Sequence, residues 1–116
     1  MMLASVPVRC YLYRLLRGRQ AWPLNRIKQY QERKLRKMIR YCWAYVPFYR
    51  DKWGAVIRGP QDIRTIEDLQ KLPVINKQDV RNELERMTTR NRWVISSEAR
   101  TGGSTGEPVI FRMTRM

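Results

Sequence analysis

Histidine is absent from the 116-residue sequence, and cysteine occurs only twice, at Cys10 and Cys42. Without histidine, the chain has no Ser-His-Asp or Cys-His nucleophile and no histidine-containing metal site. Two thiols so far apart in the sequence do not form a zinc site, so we predict no metal centre built from side chains. We recognise no cleavable secretion signal, and both thiols are therefore expected to stay reduced in a cytoplasmic protein.

Acidic residues and long apolar runs are also scarce. Asp and Glu number 10 against 24 Lys and Arg, and residues 1–60 hold 14 of the basic residues and only 2 of the acidic ones. No apolar run reaches the length of a transmembrane helix. A surface this basic attracts anionic lipid or nucleic acid, but a solvated helix surface is the simpler interpretation. We expect a cytoplasmic protein, with peripheral binding to an anionic membrane left open and nucleic acid disfavoured, because no nucleic-acid-binding signature accompanies the charge.

Hydrophobic periodicity predicts that helices come first along the chain. Residues 8–17 form a short apolar stripe that Gly18 is expected to end. Arginines flank this stripe, so it could lie in a membrane interface, although packing on the protein's own core is the simpler expectation. A long helix is predicted from Pro23 to Tyr45, ending before Pro47. Its predicted buried stripe consists of Ile27, Gln31, Leu35, Met38, Cys42 and Tyr45.

Two shorter helices are predicted to follow. A tight corner at Pro47 is expected to lead into a helix through Trp53, with the aromatic side chains as core anchors. Thr65, with Asp68 three residues later, predicts a capped helix that ends at Leu72-Pro73.

The last part of the chain changes from helix to strand. Asn76 is expected to cap a further helix, with Asp79 completing the cap. The predicted buried stripe of this helix consists of Val80, Leu84 and Met87. Residues 93–95 and 109–111 are strand-like runs that predict two antiparallel strands. The sequence therefore predicts an α+β chain, with a helical subdomain at residues 1–90 and a β-hairpin at residues 91–116 of a single incomplete domain.

The most informative segment lies between the two predicted strands. Residues 101–109 read TGGSTGEPV, which is neither the Walker pattern nor the dinucleotide-binding glycine spacing. Glycine allows successive N–H groups to converge on one anion, and the serine and threonine hydroxyls donate hydrogen bonds or bind a nucleotide's magnesium ion. The same residue types are also common in simple hairpin turns, so the motif alone leaves both interpretations open. The candidate phosphate-binding residues are Thr101, Gly102, Gly103, Ser104, Thr105 and Gly106.

Four short signatures occur in order: YCWAYVPFYR at residues 41–50, IEDLQKLP at 66–73, NKQDVR at 76–81 and the glycine-rich loop. Together they resemble the phenylacetate-CoA ligase family of adenylate-forming enzymes, and especially its capsule-biosynthesis-like branch. The resemblance covers roughly residues 30–113. One departure is Val109, because many members of the superfamily carry lysine at that position.

The resemblance implies an ATP-dependent, AMP-forming carboxylate-CoA ligase whose glycine-rich loop holds the phosphates of ATP. The implied cofactors and substrates of the intact enzyme are ATP, Mg²⁺, coenzyme A and a small-molecule carboxylate. Enzymes of this family are several-fold longer, so we expect an amino-terminal fragment that is inactive alone and carries no catalytic residue. The alternatives are a basic protein that binds an anionic membrane or nucleic acid, and a non-functional gene fragment.

Overall fold

The computed structural model describes residues 5–102, 106 and 108–114, with all of their side chains except those of residues 5–9 and 12. The α-helices are α1 (Ser5–Gln20), α2 (Leu24–Tyr45), α3 (Pro47–Gly54), α4 (Lys77–Asn82) and α5 (Leu84–Met87). Two 3₁₀ helices occupy Pro60–Asp62 and Glu67–Lys71, and the strands are β1 (Ser96–Arg100) and β2 (Ile110–Thr114). Helices followed by an antiparallel hairpin confirm the predicted α+β class.

The chain divides into two compact units, residues 1–34 and residues 35–116. In the first unit, α1 continues through Gly18 to Gln20, so the predicted stop at Gly18 is wrong. A glycine inside a helix costs only about 1 kcal/mol relative to alanine, which does not force the helix to end. The helix ends instead at a turn in which the Trp22 amide donates to the Arg19 carbonyl oxygen at 3.2 Å. Within the described residues, no helix is both long and apolar enough to span a bilayer.

The second unit contains the hydrophobic core. Its buried centre consists of Ile39, Trp53, Ile57 and Ile63, against which Leu35, Cys42, Trp43, Tyr49 and Leu72 pack. Phe48 and Trp53 are buried, which confirms the aromatic residues around Pro47 as core anchors. Partial burial raises the pKa of the Cys42 thiol, as expected for a thiol partly shielded from water.

The bounds of α2 match the predicted helix closely, but its predicted buried stripe is partly wrong. Met38 is 61% exposed and Tyr45 is 42% exposed, whereas Ile39, which lay outside the predicted stripe, is only 3% exposed. The basic residues around Met38 gave no indication of which apolar side chain points inward. Packing against Trp53 and Ile63, which lie far along the chain, selects Ile39.

Side-chain caps fix the connections that follow the core. Thr65 and Asp68 form the predicted reciprocal pair: the Thr65 amide donates to Asp68 Oδ2 at 2.9 Å and the Asp68 amide donates to Thr65 Oγ1 at 3.4 Å. The helix that follows is a 3₁₀ helix, and it ends at Lys71, just before Leu72-Pro73. Asn76 and Asp79 form the predicted capping box of α4. That helix breaks at Glu83, so the single helix predicted through Met87 is in fact α4 and α5.

Asp79 also joins α3 to α4. Its Oδ2 accepts a hydrogen bond from Lys52 Nζ at 2.9 Å and another from the Asn76 amide at 3.1 Å. The hydrogen bond from Lys52, followed by that from Asn76, lowers the pKa of the Asp79 carboxyl. These contacts are stronger to the ionised carboxylate than to the neutral acid, so they couple the fold to pH.

We expect acid to weaken the fold through Asp79. Because its pKa is lower in the folded chain, the unfolded chain binds more protons as the pH falls below about 4, and the stabilisation present above that pH is lost. The urea unfolding midpoint should therefore fall between about pH 6 and about pH 3. In Asp79→Asn, which cannot ionise, the fall should be smaller. An equal fall in the two proteins would contradict this account.

Candidate functional site

The glycine-rich loop is carried by the β-hairpin. β1 and β2 pair antiparallel, in a register that runs from Ser96 opposite Thr114 to Arg100 opposite Ile110. The strand predicted at residues 93–95 is misplaced, because β1 begins only at Ser96. The reason is a turn at Asn91, whose side-chain oxygen accepts from the Trp93 amide at 3.1 Å and whose carbonyl oxygen accepts from the Val94 amide at 3.0 Å.

Thr101 and Val109 close the base of the loop. The Thr101 amide donates to the Val109 carbonyl oxygen at 3.0 Å, and the Val109 amide donates to Thr101 Oγ1 at 2.9 Å. The threonine oxygen acts as an acceptor in this pair, so its O–H remains a donor that can point elsewhere. Thr101 is exposed. The loop therefore begins with a fixed hydroxyl that can donate to an anion.

The described glycines of the loop leave its backbone accessible. Gly106 has a φ of 138°, a conformation that only glycine adopts readily. A Cβ atom placed on Gly102 would meet no heavy atom within 4 Å, so packing within the described residues does not require glycine there. Both residues are exposed. Gly103, Ser104 and Thr105 lie outside the described residues, so the structure describes only Thr101, Gly102 and Gly106 of the six predicted site residues.

The segment that leads from the loop into β2 lies against α4. Pro108 and Ile110 line a groove of about 190 Å³ together with Val80, Arg81 and Leu84. Arg81 belongs to the NKQDVR signature, and the sequence gave it no role beyond surface charge. The fold places it in the groove beside Pro108 and Ile110. The position of Arg81 depends on how α4 packs against the hairpin, and nothing local in the sequence indicates that packing.

A larger cavity lies between the hairpin and the helices α4 and α5. It has a volume of about 370 Å³, and Phe111 from β2 lines it. Val80, Leu84 and Met87, the predicted buried stripe, all line it and are half-buried. On one wall the Tyr41 hydroxyl and Thr89 Oγ1 are hydrogen-bonded at 2.7 Å. Beside this cavity a side-chain contact joins the hairpin to α5, because the guanidinium group of Arg112 in β2 donates to Glu85 Oε1 at 3.4 Å.

Comparison with known proteins gives the same relatives as the motifs. The chain is 27% identical to the phenylacetate-coenzyme A ligase of Thermus thermophilus over 94 residues. These residues are 80% of the chain and 21% of that enzyme. It is 28% identical over 94 residues to the corresponding ligase of Escherichia coli, covering 79% of the chain and 21% of that enzyme. The chain is similar to phenylacetate-coenzyme A ligases. A third relative, from Pseudomonas putida, carries the same name and is 27% identical over 94 residues.

These similarities support the family suggested by the four signatures, but not a particular branch of it. The chain spans about a fifth of the length of the curated relatives that it matches, 21% in each case. No family model matches the chain. The similarity is therefore to one part of those enzymes, and the roles of individual residues depend on the geometry described above.

Proposed function

We propose that the chain is the amino-terminal, phosphate-binding part of an AMP-forming carboxylate-CoA ligase. The observation that carries this proposal is the closed base of the glycine-rich loop, where Thr101 and Val109 exchange two hydrogen bonds. The 27–28% identity to phenylacetate-coenzyme A ligases supports the same conclusion. We extend the proposal to the capsule-biosynthesis-like branch because of the four ordered signatures.

The loop is proposed to hold the β- and γ-phosphates of ATP. Its residues are Thr101, Gly102, Gly103, Ser104, Thr105 and Gly106. The geometry at Thr101 suits this role, because its hydroxyl is exposed and can still donate. Gly106 has a positive φ, which only glycine adopts readily, and it adds no side chain to the loop. Hydrogen-bond donors fixed in advance stabilise phosphate charge effectively, because they need little reorganisation during reaction.

The proposed reaction joins a small carboxylic acid to coenzyme A in two steps. The carboxylate oxygen attacks the α-phosphorus of ATP, and the bond to pyrophosphate breaks, so an acyl-adenylate forms. The thiol of coenzyme A then attacks the acyl carbon and AMP leaves. Mg²⁺ enters this proposal with the phosphates of ATP, since the described residues contain no group of three or more Cys, Asp or Glu side chains able to hold a metal ion.

Within such an enzyme, we propose that residues 1–90 form a helical subdomain and that residues 91–116 begin the sheet of the large domain. The ion pair between Arg112 of the hairpin and Glu85 of α5, at 3.4 Å, supports this arrangement, because it joins the two parts. The residues that bind the acid, coenzyme A and adenine are not assigned to this chain.

The proposal is tested by sequencing the coding DNA beyond the codon for Met116 and expressing the whole reading frame. We expect ATP-dependent pyrophosphate release that requires a carboxylic acid. Thr101→Val, which keeps the shape but removes the hydroxyl, should lower kcat/KM for ATP by roughly tenfold or more, whereas Thr101→Ser should retain most of it. The proposal fails if no acid from a panel of aryl and alkyl acids elicits pyrophosphate release.

A further inference from the structure

The first unit, residues 1–34, combines strong positive charge with exposed apolar side chains. It contains eight Lys and Arg residues and one acidic residue, Glu32, for a net charge of +7. On α1, the exposed residues Tyr13, Leu16 and Arg17 follow helical spacing and share one face. Leu16 is 59% exposed, and Leu24, at the start of α2, is 82% exposed. Such leucines gain nothing by remaining in water.

Arginines in this unit stand over aromatic rings. The guanidinium carbon of Arg26 lies 4.4 Å from the centre of the Trp22 ring, and that of Arg17 lies 6.0 Å from the Tyr13 ring. Arg19 lies 4.7 Å from the Tyr30 ring and donates to its hydroxyl at 2.8 Å. These contacts hold cations beside aromatic side chains at the corner between α1 and α2. Basic and aromatic residues in such proximity suit the headgroup region of a bilayer.

We propose that this surface, the basic corner, binds anionic phospholipid membranes peripherally. The basic corner is formed by Tyr13, Leu16, Arg17, Trp22, Leu24 and Arg26. Its arginines attract phosphate-bearing headgroups, and its leucines enter the acyl boundary beneath them. Nucleic acid would share the attraction to arginine and could stack on the aromatic rings, but it would leave Leu16 and Leu24 in water. The exposed leucines therefore favour lipid. This inference is independent of the proposed ligase activity.

The test is co-sedimentation of the 116-residue chain with vesicles. We expect binding to mixed phosphatidylcholine–phosphatidylglycerol vesicles that weakens as salt is raised, and little binding to pure phosphatidylcholine. Arg17→Glu/Arg26→Glu should lower the partition coefficient by about 25-fold or more, at about fivefold for each basic residue lost near the surface. Leu16→Ser/Leu24→Ser should lower it by about tenfold or more.

Matched controls lie in the second unit. Lys77→Glu/Arg92→Glu makes the same change in net charge, and Leu69→Ser/Val74→Ser removes two apolar side chains that are also exposed. Both controls should stay within about twofold of the parent chain. Circular dichroism checks that every variant is folded. The proposal is overturned if the chain binds single-stranded DNA but not vesicles, if it binds neither, or if both variants of the basic corner still bind vesicles like the parent.

Discussion

Replacing Trp53 by alanine is expected to lower the free energy of unfolding by about 3–5 kcal/mol. Trp53 is 6% exposed and contacts the buried centre of the second unit. Its ring also packs on Tyr49, with ring centres 4.8 Å apart. Truncation removes these contacts and leaves a cavity that the surrounding side chains fill only partly. Since small domains are stable by only about 5–15 kcal/mol, this loss is a large fraction of the total, and the urea unfolding midpoint should fall clearly.

The matched control is Trp93→Ala, which removes the same side chain where it is 84% exposed. Its free energy of unfolding should stay within about 0.5 kcal/mol of the parent value. Urea titrations followed by circular dichroism compare the three proteins. Equal losses in the two alanine variants would mean that Trp53 does not anchor the core.

The second large effect is expected at Gly106, in the whole reading frame proposed to encode the ligase. Its φ of 138° is unfavourable for a β-branched residue, so Gly106→Val must change the backbone path of the loop. Donors displaced by about 1 Å lose much of their value in catalysis, and we expect kcat/KM for ATP to fall by about a hundredfold. The free energy of unfolding should fall by no more than about 1–3 kcal/mol, the usual cost of such a strained residue.

Gly18→Val is the control for this substitution. Gly18 lies within α1, and a Cβ atom there would meet no heavy atom within 4 Å. Its kcat/KM should remain close to that of the parent enzyme. Pyrophosphate release at varied ATP concentration measures both variants. Parent-like kinetics for Gly106→Val would mean that the loop does not hold the phosphates of ATP, even if the protein proves to be an acid-CoA ligase.

Local sequence was enough to predict the features that depend on neighbouring residues. The end of α2 before Pro47 follows from the restriction that proline places on the preceding residue. The capping box of Asn76 and Asp79 follows from a spacing of three residues. Which side of α2 is buried could not be predicted in the same way. Met38 and Ile39 are adjacent apolar residues, and distant packing partners decide between them.

In the candidate site, too, features set by neighbouring residues could be predicted, and features set by distant packing could not. The glycines and the strand after them predicted a loop on a hairpin, and the structure has β1 and β2 in antiparallel pairing on either side of it. The start of β1 was misplaced, because an asparagine turn competes with the strand tendency of residues 93–95. The position of Arg81 beside Pro108 depends on how α4 packs on the hairpin, which no short motif encodes.

The two cysteines provide a chemical probe of the core. Cys10 is exposed, whereas Cys42 is half-buried against the core and has a raised pKa. Thiol reagents attack the thiolate, so Cys10 should react first and Cys42 more slowly. Once Cys10 is blocked, the rate at which Cys42 becomes labelled reports how accessible the packing around Ile39 and Trp53 is to a reagent under native conditions. The two thiols thus allow the tightness of the core to be followed chemically, without unfolding the protein.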